Sequence, residues 1–171
     1  MRRARRRKCV NCASGIAPRS ERTCSSKAIA GRALSGVGCS QTAVPPAAAA
    51  QLGVRLVSLE ELLRQSDFVS LHCPLNESTH DLVGAAQLAL MKPDAYLINT
   101  ARGGIVDEEA LYHALKERRI AGAALDCFAQ EPVTAPNRFS ELENVLLAPH
   151  SIAWTDELFR DMGRAACQVM V

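Results

Sequence analysis

Residues 45–171 predict a doubly wound α/β fold, a parallel sheet with helices on its faces. Three observations lead there. Four short apolar runs, 54–57, 67–73, 95–101 and 122–128, show little of the apolar/polar alternation of a half-exposed strand. Helix-like segments separate most of them, the pattern of strands joined by crossovers. Each later run also closes on polar or small residues, which such a fold gathers along one edge of its sheet.

"VRLV" (54–57) reads as a short strand, and Ser58 caps a helix "LEELLRQ" with Glu61 three residues on, the spacing of a capping box. "DFVSLHC" (67–73) is a buried strand stopped by Pro74. The polar "LNESTHDL" leads to a helix "GAAQLALMK" that ends at Lys92, before Pro93. "AYLINTA" (95–101) is another buried strand. "DEEALYHALKERR" (107–119) is a helix with acids in its first turn and bases in its last, as the helix dipole favours. "GAALDCF" (122–128) and "VLLAPH" (145–150) complete the strands, and residues 151–171 read as one amphipathic helix.

Residues 1–44 differ in kind and are read as a low-complexity basic head, largely disordered. Residues 1–50 hold ten Lys or Arg against Glu21 alone, +9, while residues 51–171 carry ten bases and seventeen acids, −7. A basic run of this sort is compatible with nucleic-acid binding, an import signal or an organellar transit peptide. It is equally compatible with a leader unrelated to the fold, from a mis-set start or a shifted reading frame. Nucleic acid is not expected as a partner, because a charge run alone is poor grounds for one.

Composition narrows the rest. Hydrophobic residues make up 48% of the chain, yet no apolar run reaches the ~20 residues of a membrane span, so no membrane partner is expected. The seven cysteines are an odd number, and Cys9-Val-Asn-Cys12 has no second pair or neighbouring His to complete a zinc site; no metal is expected. Cys73, Cys127 and Cys167 sit among apolar neighbours and read as small buried side chains, and a reducing cytoplasm is the default location.

The strand-closing residues are His72 to Pro74, Asn99 to Arg102, Asp126 with Glu131, and His150. Arg102, Glu131 and His150 come from three segments that the fold would bring to one rim. Gly103 and Gly104 allow a sharp turn and room for a ligand. A carboxylate beside an imidazole orients it and favours its protonated form, giving a general acid/base. A guanidinium grips a planar carboxylate through two hydrogen bonds. Taken singly, Arg102 reads equally as a surface or capping residue, Glu131 as a loop acid, His150 as a strand end, and Asp126 as a partner of a backbone amide. His72, His80 and His113 are assigned to structure or solvent.

"SDFVSLHCPLNESTHDLV", "MKPDAYLINTARGGIVDEEALYHALKERRIAGAALDCFAQEP" and "NVLLAPHSIAWTDE" closely resemble the NAD-dependent D-2-hydroxyacid dehydrogenase family, which includes phosphoglycerate dehydrogenases and hydroxypyruvate reductases. The resemblance runs from about Pro45 to Val171 and implies a Rossmann-like nucleotide domain. It implies a catalytic set in which Arg102 binds the substrate carboxylate, His150 exchanges a proton with the substrate oxygen and Glu131 supports His150. It further implies that Cys73, Pro74, Thr100, Ala101, Arg102, Asp126, His150, Ser151 and Ala153 lie along NAD, with a small 2-hydroxy or 2-keto acid as substrate and a homodimer as the intact form. The same motifs resemble the C-terminal-binding-protein corepressors, which keeps a non-enzymatic, NAD-responsive binding module as an alternative.

In this family a strand, a G-x-G-x-x-G turn and a strand ending in an acid precede the segment that begins near Pro45. Here "GRALSGVGCSQTAV" (31–44) occupies that place, and Gly36-Val37-Gly38 supplies two glycines without the third in register. The expectation is therefore a partial nucleotide domain, 45–171, joined to an unrelated head, 1–44, and lacking the family's separate substrate domain.

Overall fold

The computed structural model describes residues 8–13, 35–39, 45–134 and 136–169. Seven parallel strands form one sheet in the order β3-β2-β1-β4-β5-β6-β7: β1 Lys8–Ala13, β2 Ser35–Cys39, β3 Val54–Leu56, β4 Phe68–His72, β5 Tyr96–Asn99, β6 Gly122–Leu125 and β7 Val145–Leu147. The chain order reverses between β1 and β4, the topological switch point of a doubly wound sheet.

Two strands of the sheet come from the head. β1 occupies the middle of the sheet, with Cys9–Ala13 in register with Phe68–His72 of β4, and β2 joins β1 to β3. The sheet thus crosses the expected boundary at residue 44. "KCVNCA" and "SGVGC" show no long apolar run, and strand pairing depends on neighbours that a local reading does not contain. Gly36 to Gly38 lie inside β2, paired with Val54 to Leu56, and not in a turn. The rest of the head lies outside the described residues.

Among the described residues, five α-helices accompany the strands: α1 Pro46–Gln51, α2 Leu59–Gln65, α3 Ala85–Leu88, α4 Glu108–Lys116 and α5 Asp156–Val169. Sequence reasoning passed over α1, although a proline at its first position followed by an alanine run is a helix signature. At α2, Ser58 Oγ accepts the Glu61 amide at 3.2 Å, and the Glu61 carboxylate also holds Arg55 at 2.9 Å. α3 is shorter than expected. Its last turn tightens, with Leu90 and Met91 amides bonding three residues back, before Lys92 joins Asp67 and the Gln65 carbonyl. β6 and β7 stop at Leu125 and Leu147, three residues short of the expected ends, because the residues beyond turn into the candidate site.

The core lies between one face of the sheet and α2, α3 and α4. Leu62, Leu63, Val69, Leu71, Leu97, Leu111 and Leu115 are wholly or almost wholly buried there. Among the described residues, no helix packs on the opposite face beside β5 to β7. Phe68 stacks on Tyr96 at 5.5 Å, and with Ile98, Ala124 and Leu146 they line an open groove of about 540 Å³. α5 starts five residues later than expected and is exposed along nearly its whole length, so Cys167 on it is exposed and not buried, whereas Cys73 and Cys127 are buried as expected.

Candidate active site

The carboxyl edge of the sheet carries the polar residues singled out above. The edge follows strand order: Cys73 and Pro74 after β4, Thr100 to Arg102 after β5, Asp126 after β6, and His150 to Ala153 after β7. With neighbouring strands ~4.8 Å apart, four such positions span ~14 Å, a length suited to part of an extended ligand.

At the β7 end, His150 Nδ1 lies 2.7 Å from Glu131 Oε2, and both side chains are over a third exposed. The other Glu131 oxygen accepts the Phe128 amide at 2.9 Å. Partial burial alone would raise the Glu131 carboxyl, but the His150 hydrogen bond, the Phe128 amide and the nearby His150 and Arg102 charges together hold it below the ordinary carboxylate range. Glu131 is thus a carboxylate at neutral pH, aimed at one imidazole nitrogen. Phe128, Glu131, Val133, Leu147, Pro149 and His150 line an apolar-walled cavity of about 770 Å³.

His150 has a left-handed backbone, φ 56°, a conformation that costs a non-glycine residue about 1 kcal/mol or more. Its support comes from Asp126. This carboxylate is 4% exposed, and its two oxygens accept the Ser151 amide at 2.9 Å and the Ile152 amide at 3.1 Å. Asp126 therefore takes the backbone-amide role weighed for it from the sequence, and it fixes the chain immediately after the imidazole. A second lone pair on each oxygen leaves room for a ligand donor.

The β5 end is built by Asn99, which sequence reasoning placed at the strand end without assigning it a task. Asn99 is 1% exposed; its Oδ1 accepts the Ala101 amide at 3.1 Å and its Nδ2 donates to the Arg102 carbonyl at 2.9 Å. Arg102 is exposed, with Nη1 donating to the Ala101 carbonyl at 2.6 Å. Gly103–Ile105 is a single 3-10 turn. Gly103 does not make room for a ligand as expected. A Cβ there would lie 1.9 Å from the Phe128 carbonyl carbon, so the missing side chain admits the neighbouring backbone. Gly104 instead faces the Leu75 side chain.

The remaining sulfur and imidazole groups are quiet. Burial, with the Glu131 and Asp126 charges adding to it, pushes the Cys127 thiol up to about 11, and burial also raises Cys73. His72 lies 2.8 Å from Ser70 Oγ and burial lowers its pKa; His80 meets Asp81 at 2.9 Å and His113 meets Glu109 at 3.0 Å.

A parallel sheet whose chain order reverses at its middle, with polar residues along its carboxyl edge, is the architecture of a dinucleotide-binding domain. The family signature described as "D-isomer specific 2-hydroxyacid dehydrogenase, NAD binding domain" matches residues 26–151, and the chain belongs to this family. The match starts inside the head, earlier than the Pro45 expected. The chain is 49% identical over 121 residues to a glyoxylate reductase of Korarchaeum cryptofilum, covering 71% of this chain and 36% of that protein. It is 45% identical over 121 residues to a D-3-phosphoglycerate dehydrogenase of Methanocaldococcus jannaschii, covering 70% and 23%. A D-isomer specific 2-hydroxyacid dehydrogenase of Lactobacillus delbrueckii ssp. bulgaricus, solved in its NAD complexed form, superposes with a TM-score of 0.71 at 32% identity, over 79% of this chain and 44% of that one. The chain thus spans about a third or less of the length of these two curated relatives. NAD is the family's cofactor, and these relatives give the corepressor-like alternative no support. Among the described residues, no helix is long and apolar enough to cross a membrane.

Proposed function

We propose that this chain is the dinucleotide-binding portion of an oxidoreductase that interconverts a D-2-hydroxy acid and its 2-keto acid. The observation that carries the reading is the 2.7 Å His150–Glu131 pair on the same sheet edge as Arg102. NAD(H), held along Cys73, Pro74, Thr100, Ala101, Asp126, Ser151 and Ala153, supplies or takes up the hydride. The row of strand ends and the unsaturated acceptors of Asp126 fit such a ligand. Arg102 clamps the substrate carboxylate through its planar fork. Glu131 occupies Nδ1 of His150, which leaves Nε2 to give a proton to the keto oxygen during reduction and to take it back from the hydroxyl during oxidation.

The intact enzyme is proposed to be a homodimer in a reducing cytoplasm, where the buried Cys73 and Cys127 thiols would persist. The test is oxidation of NADH, followed at 340 nm, with glyoxylate or hydroxypyruvate. Turnover is expected of the intact enzyme, with His150→Gln lowering kcat on the order of 10²- to 10⁴-fold. NADH-responsive dimerisation with no turnover of either keto acid would instead favour the binding module.

A further inference from the structure

The acid/base pair and the anion clamp sit on different loops, Glu131 after β6 with His150 after β7 and Arg102 after β5, and must keep a fixed separation to act on one small molecule. The structure shows what sets it. The Phe128–Ala129 peptide, which leads into Glu131, is held at both amides. Glu131 Oε1 takes the Phe128 N–H at 2.9 Å, and Glu108 Oε1 takes the Ala129 N–H at 2.6 Å. Glu108 is the first residue of α4, anchored by the Asp107 cap, whose Oδ1 accepts the Glu109 and Ala110 amides at 3.0 and 3.1 Å. Gly103, next to Arg102, is buried flush against the same peptide, with space for no side-chain atom between them.

We propose that Glu108 and Gly103 are positioning residues: they register the Arg102 turn against the Phe128–Glu131 loop and so fix the spacing between the carboxylate clamp and the His150–Glu131 pair. The geometric claim stands on the contacts above, while its catalytic consequence rests on the function proposed for the site. Gly103 works by absence, because a methyl group within about 2 Å of the Phe128 carbonyl must drive the two loops apart. Glu108 works by grip, and a first-turn acid on a helix has no other need to reach a separate loop. From sequence alone Glu108 is only a dipole-compensating acid.

Gly103→Ala risks misfolding, so the test rests on Glu108→Ala and Glu108→Gln in the full chain. The Glu131 side-chain carboxyl is followed by carbon-13 NMR between pH 3 and 7, with Glu131→Gln assigning the signal. In Glu108→Ala the Glu131 titration is expected to move up toward the ordinary carboxylate range, because the loop that holds the Phe128 amide and His150 against it loosens. Glu108→Gln, whose amide oxygen still accepts the Ala129 N–H, is expected to stay low. An unchanged Glu131 titration in Glu108→Ala overturns the proposal, with or without turnover. Where the chain reduces glyoxylate, kcat/KM is expected to fall ~10- to 100-fold in Glu108→Ala and largely recover in Glu108→Gln, the scale of a small misplacement of reacting groups. Unchanged kcat/KM in Glu108→Ala also overturns it. Absent turnover in the intact enzyme counts against the proposed function, while the NMR result still decides this one.

Discussion

At the scale of single residues, Glu131 gives the sharpest expectation. Its carboxyl titrates below the ordinary range, so the native state favours its charged form, and the linked stability is present above the ordinary carboxylate pKa of about 4.3 and lost as pH falls through the lowered native value. Urea denaturation of the unmodified chain and Glu131→Gln should therefore differ at pH 7, with the gap narrowing as pH falls below about 4.3; a gap that stays constant through that fall contradicts the assignment. The sequence announced Arg102, Glu131 and His150, since all three close or follow apolar runs, and the structure brings the imidazole and carboxylate together. It did not announce the supports. Glu108 and Gly103 meet backbone groups far along the chain, at Ala129 and Phe128, and such contacts leave no local pattern in the sequence, while Asn99 holds the Arg102 carbonyl only three residues on.

At the scale of elements, legibility followed the source of each signal. β4, β5 and α4 are set by local rules: an apolar run stopped by Pro74, another closed by Asn99, and a helix with Asp107 as cap and acids in its first turn. All three lie close to where those rules put them. β1 and β2 are set by pairing across the sheet, and their sequences carry too little apolar character to show it. The open sheet face misled for a related reason, because Tyr96 and Leu146 are apolar wherever they point. The α4 cap offers a direct check. Asp107 satisfies two otherwise unpaired amides at the helix start, so Asp107→Ala should cost about 1 kcal/mol in urea denaturation, with Asp107→Asn recovering most of it. A loss within a few tenths of a kcal/mol would show that the cap is not what starts this helix.

At the scale of the whole molecule, packing is unevenly shared, and this predicts where the fold opens. β4 and β5 are interior strands, each hydrogen-bonded on both sides and backed by Leu62, Leu63, Leu111 and Leu115, all 0 to 1% exposed. Opening either one breaks two ladders and uncovers the centre of the core. α5 has the opposite situation. Its Leu158, Phe159 and Met162 are 37%, 60% and 59% exposed, so little tertiary burial opposes its unwinding, and an isolated helix of its length is marginal in water. Local opening should then span the whole range from near zero to the global stability within this one chain. Amide hydrogen exchange read by NMR should find Val69, Leu71, Leu97 and Ile98 among the slowest sites. Amides of α5 beyond its first turn should exchange faster by on the order of a thousandfold, since each 1.4 kcal/mol of protection lost is a factor of ten. Slow exchange along α5 equal to that of β5 would mean that the helix has found a packed surface in solution, and the open groove beside Tyr96 and Leu146 would be the first place to look for it.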